Sequence, residues 1–275
     1  MNTSVHRRQF LKRAGAASAA TVLGFPSLVR AAVASEQVTI AVIGVNSRGK
    51  ALASLFAGLP GVVISHICDV DSRAMEKCLK DLPGKKAEGV GDFRRILEHK
   101  DVDAVVIATP DHWHASMAML AMDAGKHVYV EKPCSHSPEE GEMLIRTQKR
   151  TGKVFQMGNQ RRSSAGIMEA AELIKSGELG ELRSAACWYG RKRGPIGTGK
   201  TVAVPEWLDW KLWQGPAPHV DYRDNIVHYN WHWFRSWGTG EICNNGTHEI
   251  DVCRWLLGVG YPRKVTSTGG RDAIT

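Results

Sequence analysis

The sequence predicts an α/β protein, with an N-terminal doubly wound parallel sheet followed by a C-terminal α+β domain whose sheet is mostly antiparallel. Three observations carry this. Between Val38 and Gly158 short β-branched runs alternate with helical stretches, and each run is apolar throughout rather than at every second residue, the pattern of strands covered on both faces. The first run ends in a glycine-bearing turn that opens a helix. Past Arg162 the pattern changes to a half-exposed alternation and then to a long stretch rich in Gly, Pro and Trp.

In chain order, residues 1–34 read as an export leader. His6-Arg7-Arg8-Gln9-Phe10-Leu11-Lys12 precedes a mildly apolar run from Ala14 to Val29, and Ala32-Val33-Ala34 precedes Ser35. A basic start, an apolar middle and an A-x-A end make a signal peptide, and paired arginines before Phe-Leu-Lys resemble the twin-arginine type, with His6 where Ser or Thr is usual. Cleavage is expected after Ala34. The run holds Gly15, Ser18, Gly24 and Pro26, too weak for a stable membrane anchor. The twin-arginine export machinery is thus an expected partner, and the protein is expected to be periplasmic or secreted, exported already folded with a cofactor inside.

Residues 35–160 form the expected sheet domain. Strands are predicted at Val38–Ile43, Val62–Cys68, Ala104–Ala108, His127–Glu131 and Val154–Gly158, with a weaker one before Asp92. Helices are predicted at Arg48–Leu59, Ser72–Leu82 capped by Asp71 or Ser72, Asp92–Glu98, His114–Ala124 and Pro138–Thr151. Residues 161–275 form the second domain: a helix Ser164–Ser176, an alternating strand Leu182–Tyr189, a helix His248–Leu257 and a strand beginning near Arg263. Eight of the nine tryptophans lie between Trp188 and Trp255. They suit both core packing and stacking on sugar rings.

The formal charge of +8 does not indicate nucleic acid. The leader holds Arg7, Arg8, Lys12, Arg13, Arg30 and no acid, leaving the rest with 31 basic against 28 acidic residues, a nearly balanced body. Six cysteines without a C-x-x-C pair indicate neither a zinc site nor a disulfide framework, so buried free thiols are expected. His228 and His232 have H-x-x-x-H spacing but lie in an aromatic Tyr-Asn-Trp run, and no metal is expected.

The chemistry-bearing residues begin at the first turn. Gly44-Val45-Asn46-Ser47-Arg48-Gly49 has G-x-G-x-x-G spacing with Asn46 at the second glycine, a turn that lets backbone N–H groups and a helix N-terminus face a pyrophosphate. Asp69 ends the second strand 25 residues after Gly44, where a carboxylate accepts from adenosine ribose hydroxyls and repels a 2′-phosphate. NAD is expected over NADP, with Arg48 the residue that keeps NADP in view. Glu131 and Lys132 stand at a strand's carboxyl end, where doubly wound sheets bind ligands.

Thr109-Pro110-Asp111-His112-Trp113-His114, Ala124-Gly125-Lys126-His127-Val128 and Glu131-Lys132-Pro133 together resemble the Gfo/Idh/MocA oxidoreductases, whose patterns are T-P-N-x-x-H, A-G-K-H-V and E-K-P. The resemblance runs from about Val38 to about Trp255. It implies a Rossmann domain, with Thr109, Pro110, His114, Glu131 and Lys132 at the cofactor, Lys132 touching both nicotinamide and substrate, and a cis Lys132–Pro133 bond. It also implies that the family's D-x-x-x-H falls on Asn244-Asn245-Gly246-Thr247-His248, with His248 the proton acceptor and Asn244 in place of the aspartate. Asp251, three residues on, is expected to orient or charge-balance His248. Trp113, Arg162 and His248 are the expected substrate contacts.

These residues imply an exported oxidoreductase moving a hydride between a sugar, polyol or glycoside hydroxyl and a tightly held NAD. One alternative is a glycosidase that uses NAD transiently; exported relatives of that kind tend to lack the E-K-P lysine. Another is a sugar-binding protein without turnover, for which Asn244 is the hint. Family members usually continue past this length, so Thr275 is expected to fall inside the second domain's sheet, and an unpaired sheet edge would favour a homo-oligomer.

Overall fold

The computed structural model describes residues 37–84, 87–190 and 193–269. The leader at 1–34, with its paired arginines and expected cleavage site, lies outside the described residues. Six strands form one all-parallel sheet: β1 (Val38–Ile43), β2 (Val62–Cys68), β3 (Glu88–Val90), β4 (Ala104–Ile107), β5 (His127–Glu131) and β6 (Phe155–Gly158), in the order β3-β2-β1-β4-β5-β6. This is the expected doubly wound arrangement, and the order reverses between β1 and β4, which places a crevice beyond their carboxyl ends.

The unbroken apolar runs follow from helices on both faces. Ala41 and Ile43 of β1 join Val105, Ile107 and Val130 in a core under α4 (Asp111–Asp123), where Ala115, Ala118 and Met122 pack. Their neighbours Ile40 and Val42 join Ile64 and Ile67 in a second core under α1 (Arg48–Ala57) and α2 (Ser72–Asp81), against Leu52, Ala53 and Cys78. Each fully buried Val, Leu, Ile or Met among them contributes about 1.5–3 kcal/mol.

The helix ends are set by capping. Asp71 accepts from the N–H groups of Arg73 and Ala74 at the start of α2. Asp92 does so for α3 (Phe93–Glu98), and Ser137 for α5 (Pro138–Thr151), whose end is closed by Gly152 at φ +66°. α4 starts at Asp111 rather than the expected His114. The reason is tertiary: the Asp111 carboxylate accepts from N–H and Oγ1 of Thr239, at 3.1 and 2.6 Å, in the second half of the chain.

The second half corrects the expectation most. It contains α6 (Ala165–Lys175), α7 (Trp210–Gln214), α8 (Gly240–Asn244) and α9 (Gly246–Leu257), with 3₁₀ turns at Gln160–Ser163 and Asn230–Trp233. Among the described residues no strand follows β6, so the antiparallel sheet is not formed there, and both Leu182–Tyr189 and the segment after Arg263 lack ladder partners. Alternation alone cannot make a strand, since a ladder requires a second strand in register.

Organisation comes instead from aromatics. Trp210, Trp213, Tyr222, Ile226, Leu208 and Trp237 form a third core, with Trp210 stacked on Trp213 at 4.7 Å and both edge-on to Trp237. That core docks on the crevice: Ser72 N–H donates to the Trp207 carbonyl, Asp209 N–H to Val70 and His112 N–H to Trp237. All six cysteines are free, but only Cys68 and Cys78 are buried and Cys187 is exposed, so the expectation of buried thiols holds for two.

Candidate functional site

The turn after β1 is shaped by what lies behind it. Gly44 has φ +81°, and a Cβ there would stand 2.7 Å from the Thr109 N; one at Gly49 would stand 1.9 Å from the Gly44 carbonyl oxygen. Both positions therefore need glycine. Asn46, where the spacing pattern has its second glycine, is exposed and lines the cleft with Ser47 and Arg48. No side chain caps α1 and its first turn holds no acid, so its leading N–H groups are free to face an anion.

Asp69 follows β2 as expected and is nearly buried, at 9% exposure. Its carboxylate accepts from Val45 N–H at 2.6 Å and Asp71 N–H at 2.9 Å, and so bolts the turn after β1 to the end of β2. Burial pushes this carboxyl above its ordinary range, opposed by those two N–H donors and by the His228 side chain. It still borders the cleft, where a ribose hydroxyl can donate to it.

The cleft has a volume of about 540 Å³, within the usual range for small-molecule sites. Thr109, Pro110, Trp113 and His114 form the wall after β4, and Glu131 and Lys132 the wall after β5. His114 ties these walls together, its ring nitrogens lying 2.5 Å from the Pro133 carbonyl and 2.8 Å from that of Thr109. The Lys132–Pro133 bond is cis, as expected. Trp113 donates from Nε1 to the Leu212 and Trp213 carbonyls, so it holds the aromatic core to the cleft as well as lining it.

Glu131 accepts from Arg48 Nε at 2.8 Å and from Gln160 Nε2 at 2.7 Å. Arg48 is thereby held toward β5, while Asp69 stands beyond β2 on the other side of β1.

Lys132 donates from Nζ to the Asn244 carbonyl at 2.6 Å and to its Oδ1 at 3.0 Å. The two residues that stand apart in sequence by the family pattern are thus in direct contact. Burial lowers the Lys132 pKa from its ordinary 10.5, against the pull of Asp111, Glu131 and Glu241. His248 lies in the first turn of α9 and lines the same cleft, and its Nδ1 is buried without a hydrogen-bond partner. Burial, then the Lys132 and Arg161 charges, lower its imidazole below the usual 6.5.

Two expected site residues are placed elsewhere. Asp251 does not orient His248, and Arg162 does not border the cleft: they pair with each other, Nε to Oδ2 and Nη2 to Oδ1, both at 2.8 Å. Arg161 pairs with Glu249 at 2.5 Å beside them. Fork-to-carboxylate geometry favours this partner over a neutral imidazole on the same helix. The two pairs instead anchor α9 to the end of β6, and so set where His248 sits.

The structure also adds lining residues that the sequence did not single out for the site: Gln160, His228, Tyr229, Trp231 and His232. His228 donates from Nε2 to the Asp71 carboxylate, 2.8 Å away, and the Tyr229 carbonyl lies 2.5 Å from His232 Nδ1. The run 228–234 was visible as a cluster of His and aromatics, but it has no period by which a sequence can place it. Among the described residues no three metal-ligating side chains are gathered.

The arrangement fits a dinucleotide. The glycine turn and uncapped α1 suit a pyrophosphate, Asp69 suits a ribose, and the buried partnerless Thr109 Oγ1 and His248 Nδ1 border the far end, where Lys132 stands.

Comparison with known proteins agrees. The model of the oxidoreductase family with an NAD-binding Rossmann fold matches residues 38–159, and that of the GFO/IDH/MocA C-terminal domain matches residues 167–273. An alpha-N-acetylgalactosaminidase of Shewanella oneidensis is 33% identical over 211 residues, covering 68% of this chain and 46% of that protein. A scyllo-inositol dehydrogenase of Lactobacillus casei, solved with bound cofactor NAD(H) and scyllo-inositol, is 27% identical over 53% of this chain and 43% of that one, with a TM-score of 0.50. An NAD-binding protein from Listeria innocua, 18% identical over 78% of this chain and 53% of its own with a TM-score of 0.56, shares the fold. The chain spans about half the length of the curated relatives it matches.

Proposed function

This chain belongs to the GFO/IDH/MocA oxidoreductase family, and on that premise we propose that it moves a hydride between a hydroxyl of a sugar, polyol or glycoside and a tightly held NAD. The observation that carries the reading is the meeting of Lys132, Asn244 and His248 in one cleft, beyond the carboxyl ends of β4 and β5. A bound nicotinamide supplies the hydride acceptor; the chain supplies the rest.

His248, kept neutral by burial and by the Lys132 cation, takes the proton of the substrate hydroxyl on its imidazole. Lys132 donates from Nζ to the oxygen on which charge develops, and its partial desolvation strengthens that interaction. Asn244 holds Nζ in place through its carbonyl and Oδ1. The residue thus serves Lys132, where the family's aspartate would face the histidine. Trp113, edge-on to Phe93 and lining the cleft, offers an apolar ring face there.

Two observations favour NAD over NADP. Asp69 borders the cleft beyond β2, where a 2′-phosphate would meet its charge, and Arg48, the cation of the glycine turn, is engaged by Glu131 on the opposite side.

A second reading, transient oxidation that releases a sugar from a glycoside, is favoured by the likeness to the alpha-N-acetylgalactosaminidase. One experiment separates the two: protein isolated with its own nicotinamide is given free sugars, inositols and aryl glycosides while nicotinamide reduction and released products are followed together. Reduction by a free polyol or sugar establishes the dehydrogenase. Product release without net reduction establishes the glycosidase and overturns the first reading.

The leader motif supports export in the folded state, and scarce free NAD outside the cytoplasm then calls for a cofactor that stays bound. Changing Arg7 and Arg8 together to Lys should leave the full-length protein in the cytoplasm with its nicotinamide, as fractionation would show. Export that continues by an unfolded route would refute this part.

A further inference from the structure

The Arg48–Glu131 pair joins two walls of the cleft that the sheet keeps apart. Arg48 is the first residue of α1, just after the glycine turn, and Glu131 is the last of β5. In the strand order β4 lies between β1 and β5, so a bond from one to the other spans two strand spacings, about 10 Å. It crosses the place where the order reverses. Both residues line the cleft, and a dinucleotide whose diphosphate sits at the α1 N-terminus has to pass this span to bring its nicotinamide to Lys132.

The span is built into the wall behind it. Glu131 is 6% exposed, and its Oε1 accepts from Arg48 Nε at 2.8 Å and from Gln160 Nε2 at 2.7 Å. Gln160 comes in over Gly158, where a Cβ would stand 2.9 Å from its Nε2 and closer still to the Tyr129 hydroxyl. The Arg48 side chain is 44% exposed against 8% for that of Glu131. The long, movable end therefore lies on the solvent side and the fixed end in the protein. The bond to Glu131 uses only Nε of a guanidinium with five N–H donors, which leaves donors for phosphate oxygens.

We propose that Arg48 is a strap across the bound dinucleotide, fastened by Glu131, and that this fastening sets how slowly the cofactor leaves. Arg48 touches the cofactor. Glu131, backed by Gln160, acts through Arg48 as a positioning residue. The inference rests on the reading of the cleft as a site for tightly held NAD, and it assigns the retention to two side chains 83 positions apart.

The test measures release, not turnover. Protein loaded with NADH is mixed with excess NAD, and loss of the bound NADH fluorescence gives the rate. Arg48→Met and Glu131→Gln should each release NADH about tenfold faster than wild type, the loss expected of one charge-assisted hydrogen bond. The double variant should be no faster than the quicker single, as for two groups that make one contact. Faster release in Arg48→Met alone, with Glu131→Gln unchanged or slower, means that Arg48 serves the phosphates unaided and overturns the proposal; so do effects that simply add. A reading on wild type does not depend on either variant folding: with NADH bound, the Arg48 Nε–H should exchange with heavy water at least about tenfold more slowly than in free arginine, by ¹⁵N NMR. Exchange at the free rate overturns the strap. Wild type that binds no NADH overturns the NAD reading and this inference together, whereas equal release from all four proteins overturns the inference alone.

Discussion

At the scale of single residues, the roles divide by what burial does to charge. Both His248 and Lys132 are lowered from their ordinary values, chiefly by desolvation. His248 must be neutral to accept a proton and Lys132 charged to donate, so the profile of kcat/KM against pH should be bell-shaped. Its acid limb should fall below pH 6.5 and its alkaline limb below pH 10.5, the two ordinary values. An acid limb above 6.5 would contradict the assignment of His248. Gly44 has no such freedom to titrate, but its geometry is as strict. Gly44→Ala puts a Cβ 2.7 Å from the Thr109 N at φ +81°, and should lower stability by about 1–3 kcal/mol. It should also weaken nicotinamide binding, measured by fluorescence titration.

At the scale of elements, α2 and the loop before the second 3₁₀ turn share one carboxylate. Asp71 is 1% exposed, caps α2, pairs with Arg73 and meets His228 Nε2. Burial alone would raise its pKa, but the hydrogen bonds from Arg73, His228 and the Ala74 N–H outweigh that and hold it below 3.8. A depressed carboxyl stabilises the fold at pH values above its unfolded pKa, and the contribution is lost as pH falls through the folded one. Asp71→Ala should therefore cost about 2 kcal/mol at neutral pH, read as a shift in urea midpoint that shrinks below pH 3.8. A shift that is independent of pH would mean that the charge of Asp71 contributes nothing through Arg73, His228 or the cap. The Asp71 cap was legible because Asp before a helical period is a capping signal. Its partner His228 was not, since the two lie 157 residues apart.

At the scale of the whole molecule, the cleft is made by docking the tryptophan core onto the carboxyl ends of the sheet. Trp113, His112 and Asp111 at the start of α4 reach Trp213, Trp237 and Thr239, so ligand in the cleft touches both halves. Added NAD should then raise the melting temperature of nicotinamide-free protein as a single transition, by an amount that grows with the logarithm of ligand concentration. Two separate transitions, of which only one responds to NAD, would show that the halves unfold independently.

The sequence by itself determined the doubly wound sheet, its strand limits to within about a residue and the glycine turn, and it pointed to Asp69, Lys132 and the N-x-x-x-H frame of Asn244 and His248 as candidates. All of these are local patterns: a period, a cap, a turn that admits only glycine, or a motif a few residues long. Only the tertiary structure decided that Lys132 grips Asn244, that Asp251 belongs to Arg162 rather than His248, and that His228 and His232 border the cleft. Those contacts join residues up to 157 positions apart, where neither periodicity nor spacing carries information. The alternation at Leu182–Tyr189 teaches the same lesson in reverse, since a strand is completed by a partner elsewhere in the chain and its own residues cannot supply one.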